Sequence, residues 1–396
     1  MTPERIYLTF VALHAMAFIA EATSYSPFMN MIGMTVPQME VANLAFILAT
    51  TLAEVPTGML ADSRSRRWSL CMGAGISMAG FLAYGFANTF AFAILCESMI
   101  GIGLAFVSGA AQAWVVDAMG AQGHTNHDRR RLFLEAAALR AVASVVAGSL
   151  GAFVAHLFGL RAPWFVSATL MLATLLFTAR FFGREGEVNG DERLSEFEAL
   201  RESARMARGD GALRWVLVLT GVAGLGATFN HLWQPYFLAH TTQSGLGGVW
   251  FLISFGLFLG SFGLRRIHVS PRTEILLATA ATACIAIGLL GMALVMSLPM
   301  AIIWLIVHEL GRGAVQPLTE TYVQERIGSA YRATFGSLQS LIREAGIGVA
   351  FLLTAIFSLG LPFEASTSRS VWMTVGSVLF ALTFVLFLFR PKNGAS

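Results

Sequence analysis

Apolar residues along this chain gather into long runs, and short clusters of charge, proline and glycine separate them. A helix rises about 1.5 Å per residue, so a run of about twenty apolar residues spans a hydrocarbon core of roughly 30 Å. Punctuated at its polar clusters, the sequence yields twelve runs, near 6–32, 40–61, 68–87, 89–117, 132–158, 163–182, 213–239, 247–264, 274–296, 300–325, 333–358 and 370–390. Such lengths exclude a membrane barrel, whose strands alternate apolar and polar residues over about ten positions. One long polar stretch, 183–212, divides the runs six and six, and within it Leu194, Phe197, Leu200 and Ala204 recur at helical spacing. That spacing predicts an amphipathic helix on the membrane face. The expected fold class is an all-α membrane protein of twelve transmembrane helices, with one half over 1–182, a linker over 183–212 and a second half over 213–396.

The halves echo one another. Gly109-Ala110-Ala111-Gln112 returns as Gly313-Ala314-Val315-Gln316, the glutamines 204 apart, while Arg129 with Arg332 and Arg140 with Arg343 are each 203 apart. Tyr25-Ser26-Pro27-Phe28 returns as Trp233-Gln234-Pro235-Tyr236 at an offset of 208. A near-constant offset with corresponding helices running the same way predicts parallel repeats packed around a central cavity.

Composition sharpens this picture. With 56% hydrophobic and 12% charged residues, the chain is far less charged than the roughly 25% of soluble domains. The net charge of +3 matters less than where the charges sit. Arg5, Arg64 to Arg67, Arg129 to Arg131, Arg180 to Arg214, Arg265 to Arg272, Arg326, Arg332, Arg390 and Lys392 fall at one set of run ends, and Arg161 and Arg369 at the other. The excess of positive charge predicts that the first set is cytosolic, with both termini inside and the chain in a cell inner membrane. It reflects topology and implies no nucleic-acid partner; the expected partners are lipid, a small-molecule substrate and protons, with the chain a monomer. Cys71, Cys96 and Cys284 are scattered and form no disulfide or metal spacing. The first run is too long for a signal peptide and contains Glu21, so it reads as a retained helix. No nucleotide loop, nucleophile elbow or zinc motif appears, which argues against an enzyme and against any cofactor.

The charged hairpin Glu54 to Arg67 interrupts the apolar pattern where a bilayer would end. Gly58 permits close helix approach, and Arg64, Arg66 and Arg67 pin the turn to one side. Gly58-Met59-Leu60-Ala61-Asp62-Ser63-Arg64-Ser65-Arg66-Arg67 resembles the signature G-x-x-x-D-x-x-G-R-R/K between the second and third helices of the major facilitator superfamily, with Ser65 in place of Gly. The preceding Glu54-Val55-Pro56-Thr57 resembles a bacterial branch of that superfamily. The resemblance implies a secondary transporter with alternating access, in which Asp62, Arg66 and Arg67 belong to a cytosolic gate. Asp117, ending the fourth run, is placed to meet Arg66 or Arg67. Two family patterns are altered. Where proton-coupled members read R-x-x-x-G-x-G, this chain has Glu97 before Gly101 and Gly103, and the antiporter motif of the fifth helix lacks its Pro around Gly148 and Gly151.

Ionisable groups within spanning helices are costly to insert, so each is a functional candidate. His14, Glu21 and Tyr25 fall on one face if the first run is a continuous helix, and Glu21, Glu54 and Glu97 are the candidate proton carriers. Arg140 and Arg343 occupy equivalent places and read either as a clamp for an anion or as ion pairs with Glu54 and Glu344. Glu309 and Arg312 stand at i,i+3 beside His308 and should neutralise one another. Asn230, His231 and Gln234 give the seventh run a polar face toward the cavity. His124, Asn126, His127 and Asp128 share a solvated loop without a completing ligand, so no metal site is expected. Proton-coupled export of a small organic or amphipathic compound is the first functional expectation. Import of an anionic or polar nutrient through Arg140 and Arg343 is the alternative, followed by a non-transporting assembly factor or receptor of the same fold.

Overall fold

The computed structural model describes residues 1–121, 124, 126–183, 196–263, 270–327 and 332–391. The first helices are α1 (Pro3–Ile19), α2 (Tyr25–Met31), α3 (Val36–Ser63), α4 (Arg66–Gly85), α5 (Phe90–Val107), α6 (Ala110–Ala121), α7 (Asn126–Phe158) and α8 (Ala162–Phe181). After them come α9 (Glu196–Gly209), α10 (Gly211–Gly224), a 3₁₀ turn (Leu225–Phe229), α11 (Trp233–Leu238) and α12 (Leu246–Gly263). The last four are α13 (Pro271–Leu294), α14 (Leu298–Arg326), α15 (Arg332–Phe357) and α16 (Ala365–Leu388). Among the described residues, ten segments are long and apolar enough to cross a membrane by length and composition. α1, at 17 residues, and α4 are outside that set.

The chain forms two compact units, Met1–Glu192 with Thr241–Phe251, and Arg193–His240 with Leu252–Ser396. Both use the same internal packing: α1 lies on α7 and α8 and α4 on α5 and α8 in the first, while α10 lies on α15 and α16 and α13 on α14 and α16 in the second. Small residues make these approaches possible. A side chain on Gly73 of α4 would meet Gly103 O of α5 at 2.6 Å, so the two backbones touch.

Three runs expected as single helices are broken. The first is interrupted by turns between Ile19 and Tyr25, and the seventh passes through the 3₁₀ turn and a further turn before Trp233. Pro27 and Pro235 sit at the third position of α2 and α11. Each lacks an N–H and its ring crowds the carbonyl four residues earlier, which weakens the ladder at these two points, whereas α3 and α14 run on through Pro56 and Pro317. The repeated Tyr/Trp-x-Pro-aromatic motif marks a repeated helix break. The fourth run breaks at Gly109, whose φ of +74° is a conformation open to glycine. Its echo Gly313 lies inside a continuous α14, pressed against the backbone of Leu257. The same residue type ends a helix in one unit and seats one in the other.

The amphipathic helix over the polar stretch is present as α9, which packs on α10 and α15 and buries Ser203 and Ala207. Leu194 lies outside the described residues, as do the side chains of Phe197, Leu200 and Ala204. Gly263 ends α12, and the following Leu264 to Arg266 also lie outside them.

Candidate functional site

In the C-terminal unit, α10, the 3₁₀ turn, α14 and α15 enclose a cavity of about 480 Å³. Arg312, Gln316, Thr319, Glu320 and Val323 are among the residues that reach it from α14, and Gly336, Gln339, Ser340, Arg343 and Ile347 from α15. In both helices these positions recur every three or four residues, with adjacent pairs such as Gln339 and Ser340, so one face of each is presented. Asn230 enters from the turn that follows the 3₁₀ segment. Three of the residues singled out in the sequence, Asn230, Arg312 and Arg343, thus share one cavity. His231 and Gln234 are not among its lining residues: His231 lies against the ring of Phe351, centroids 5.1 Å apart, and Gln234 is buried in α11. The turn and Pro235 rotate these side chains away from a face that a continuous helix would have shared with Asn230.

Arg312 is the hub of the cavity wall. Its Nη1 donates to Glu309 Oε1 at 3.0 Å and its Nη2 to Asn230 Oδ1 at 3.2 Å, and the guanidinium stands 5.9 Å from the centre of the Phe229 ring. Glu309 is 0% exposed, and among the described residues its Oε2 has no hydrogen-bond partner. Gly256 of α12 makes room for it: a side chain there would come within 2.6 Å of Glu309 Cβ. His308, also buried, places Nδ1 3.0 Å from Ile285 O and Nε2 3.8 Å from Glu309 Oε1. The i,i+3 neutralisation expected from the sequence is present, with Asn230 as an added partner. Arg343 donates to Ser340 Oγ at 3.1 Å and lies 3.5 Å from Glu344 Oε1.

The N-terminal unit buries a different cluster. Glu97 of α5 accepts from Tyr25 Oη at 2.7 Å and Tyr84 Oη at 3.1 Å, and Asn43 Nδ2 donates to Tyr25 Oη at 2.5 Å. Tyr84 stacks on Trp164 with ring centroids 4.0 Å apart. The single-face reading of His14, Glu21 and Tyr25 is corrected, because Glu21 sits in the turn between α1 and α2 and Tyr25 begins the second helix. Glu21 still lies near enough to Glu97 for two carboxylates to repel, and its Oε2 lacks a partner among the described residues. His14 is held between Phe10 and Phe18, with Arg140 close enough to act on it electrostatically. Arg140 is exposed, and Glu54, expected in a buried pair, is exposed on α3. Sequence reading missed Tyr84, Asn43 and Trp164. The available signal was weak: a phenol or indole inside an apolar run needs a hydrogen-bond partner for its polar tip.

Ion pairs hold one end of each unit. Arg66, at the start of α4, pairs with Asp117 of α6, and Arg67 donates to Ala179 O near the end of α8. Ser65 caps α4 by accepting from Trp68 N at 3.1 Å. Gly58 is partly buried in α3, while the Asp62 side chain lies outside the described residues, as do those of Asn126 and His127. At the start of α1, Glu4 Oε1 lies 3.3 Å from His124 Nε2. Burial pushes the Glu4 carboxyl up, but hydrogen bonds from its own N–H and from Thr2, with the charge of His124, hold it below its ordinary range. In the second unit Arg326 Nε reaches Asp210 Oδ2 at 2.6 Å, and Asp210 caps α10 by accepting from Ala212 N at 2.7 Å. Burial is again outweighed, here by Arg326 and the backbone N–H groups of Ala212 and Leu213, and the Asp210 carboxyl lies below its usual range.

The family model of the Major Facilitator Superfamily matches residues 7–351. The chain belongs to the major facilitator superfamily. It is a secondary transporter and not an enzyme. Solved structures of the superfamily fold superpose over nearly the whole chain. The nucleoside transporter NupG, in a mutant form, has a TM-score of 0.77 at 13% identity, covering 98% of this chain and 100% of its own. An auto-inhibited POT family peptide transporter gives 0.75 at 13% identity, covering 100% of this chain and 98% of its own. A bacterial homolog of the human lysosomal transporter Spinster, inward-facing and unoccupied, gives 0.72 at 17% identity, covering 99% and 98%. At such identities the likeness is one of fold. None of the curated proteins matches the chain. In this superfamily member the signature hairpin brings Arg66 to Asp117, the contact expected from the sequence.

Proposed function

We propose that this transporter carries a small polar organic anion coupled to protons, with the cavity of the C-terminal unit receiving the anionic group. The observation that carries the reading is the pair of guanidinium groups, Arg312 and Arg343, on one cavity of about 480 Å³. Among the described residues each keeps N–H donors without a protein partner. A guanidinium fork matches the geometry of a carboxylate or phosphate and stays charged at every accessible pH. The volume lies in the range of small-molecule sites. The wall also carries Ile285, Val315, Val323 and Ile347, which suit an apolar part on the same anion.

Two further features support transport of this kind. The Arg66–Asp117 pair and the Asp62 hairpin suit a gate that must open and close, and the arginine distribution supports an inner-membrane orientation with cytosolic termini. The neighbouring carboxyls Glu21 and Glu97 favour a second reading of coupling, in which the N-terminal unit carries the proton. Purified protein in liposomes with an imposed pH gradient, screened for flux of organic anions beside neutral amphipathic compounds, tests the proposal. Gradient-driven accumulation of an anion is expected. Accumulation of the neutral compounds alone would overturn it in favour of the amphipathic reading.

A further inference from the structure

The two arginines of the cavity are held differently. Arg343 leans on Ser340 and on Glu344, both near the surface, and the Arg343 and Glu344 side chains are each about one-third exposed. Arg312 faces the same cavity, yet its Nη1 is committed to a carboxylate with no exposure at all. Glu309 occupies the position of an internal anion already bound to the cavity wall.

We propose that Arg312 is shared between Glu309 and the anionic group of the substrate, so that anion binding releases Glu309 to take up a proton and makes it the coupling carboxyl. The inference rests on the reading of this cavity as the anion site. When an oxyanion takes the Arg312 N–H groups, Glu309 loses its guanidinium donor. Its Oε2 has no other partner among the described residues, and the nearest ring nitrogen, His308 Nε2 at 3.8 Å, is beyond hydrogen-bond distance. A buried carboxylate without a partner is strongly disfavoured and is neutralised by protonation. The proton comes from water reaching the cavity and adds to a Glu309 oxygen. For a singly charged oxyanion the anion's charge and the proton's cancel and the site keeps its net charge; a dianion leaves it one unit more negative, its second charge being met by Arg343, which lines the same cavity.

One further carboxylate lines the cavity, Glu320 of α14, which accepts from Gln316 Nε2 at 2.7 Å. On its own helix Glu309 faces Arg312 and His308. α12 and the 3₁₀ turn carry no ionisable side chain, and His231 follows Asn230. α13 carries Cys284, with Arg272 and Glu274 near its start; α10 carries Arg214 at its start; and α15 brings Arg343 and Glu344 to the cavity side. Arg312 is therefore the switchable contact. Because both ligands are linked through it, each must promote the binding of the other.

Titration calorimetry of the purified full-length protein tests this, with succinate and inorganic phosphate as probes, in buffers of different ionisation enthalpy at neutral pH. Wild type should take up about one proton per succinate bound, while phosphate, which itself titrates near neutral pH, reports affinity alone. Glu309→Gln should abolish the uptake and bind the probe roughly tenfold more tightly, since a charged competitor for Arg312 is gone. Arg343→Gln should weaken binding and keep the uptake. Succinate binding without proton uptake in wild type, or uptake that survives in Glu309→Gln, would overturn the assignment of Glu309 and leave the anion cavity standing. Binding of neither probe would overturn the anion cavity itself and the coupling with it. Preference for succinate or for phosphate identifies the oxyanion, and either supports the proposal. The wild-type proton count needs no variant, so a Glu309→Gln protein that failed to fold would still leave the assignment tested.

Discussion

Each unit buries a carboxylate on the fourth helical run of its repeat, Glu97 on α5 and Glu309 on α14, both within 5% exposure. In the N-terminal unit phenol hydroxyls meet the carboxylate, and Asn43 and the Trp164 ring hold those phenols in place. In the C-terminal unit a guanidinium meets it, and that guanidinium also forms the wall of a cavity. Neutral donors fix a carboxyl in position. A cation that also faces a ligand site ties the carboxyl's charge to whatever enters that site. The same contrast recurs at the unit ends, where Glu4 faces an imidazole and Asp210 a guanidinium.

The largest expected effect separates the two carboxyls directly. In liposomes with a pH gradient, Glu309→Gln should abolish concentrative transport while counterflow persists, and Glu21→Gln should leave accumulation largely intact. The reverse pattern would move coupling to the N-terminal pair of Glu21 and Glu97. Next in size is the contrast between Arg343 and Arg140. Arg343→Lys should weaken anion binding about tenfold or more, because an ammonium lacks the bidentate fork, and Arg140→Lys should bind as wild type. Equal losses in both variants would mean that the C-terminal cavity has no special claim on the substrate.

A smaller effect is expected from Tyr84→Phe, which removes one donor to Glu97. Thermal unfolding should show a loss of about 1.5–3 kcal/mol, the range for a hydrogen bond to a charged group, with anion binding unchanged. Altered binding would break the division between a structural cluster and a functional one. The smallest effect concerns the end pairs. Glu4 and Asp210 are held below their ordinary values, so each contributes stability that is present above its unfolded-state value and lost as pH falls through the lower folded value. Hydrogen exchange at the starts of α1 and α10 should therefore quicken as pH falls through the carboxylate range, and Glu4→Gln and Asp210→Asn should each remove that dependence at its own helix. For pairs of this exposure the change amounts to about 1 kcal/mol or less.

Much of this could be read along the chain. Run lengths answer to bilayer thickness, so the spans and the two-fold repetition were legible from hydrophobicity alone. The Glu309–Arg312 pair was legible because helix pitch places i and i+3 side by side whatever surrounds them. The helix breaks were only half legible. Pro27 and Pro235 weaken a regular ladder, but the sequence offered no reason to prefer a kinked helix over separate segments, and the face built from His14, Glu21 and Tyr25 assumed the wrong alternative.

Tertiary structure alone decided the partners of the buried acids. Tyr25 lies 72 positions from Glu97, and Asn230 lies 82 from Arg312. Whether such residues meet depends on the rotation and axial register of separate helices, and these are determined by the sum of many close contacts between small residues such as Gly73 with Gly103 and Gly313 with Leu257. No single residue's chemistry encodes that sum. It is why the sequence offered Glu97, Arg312 and Arg343 as charged groups in apolar runs, and only packing distinguished a carboxyl held by tyrosines from one held by the wall of a cavity.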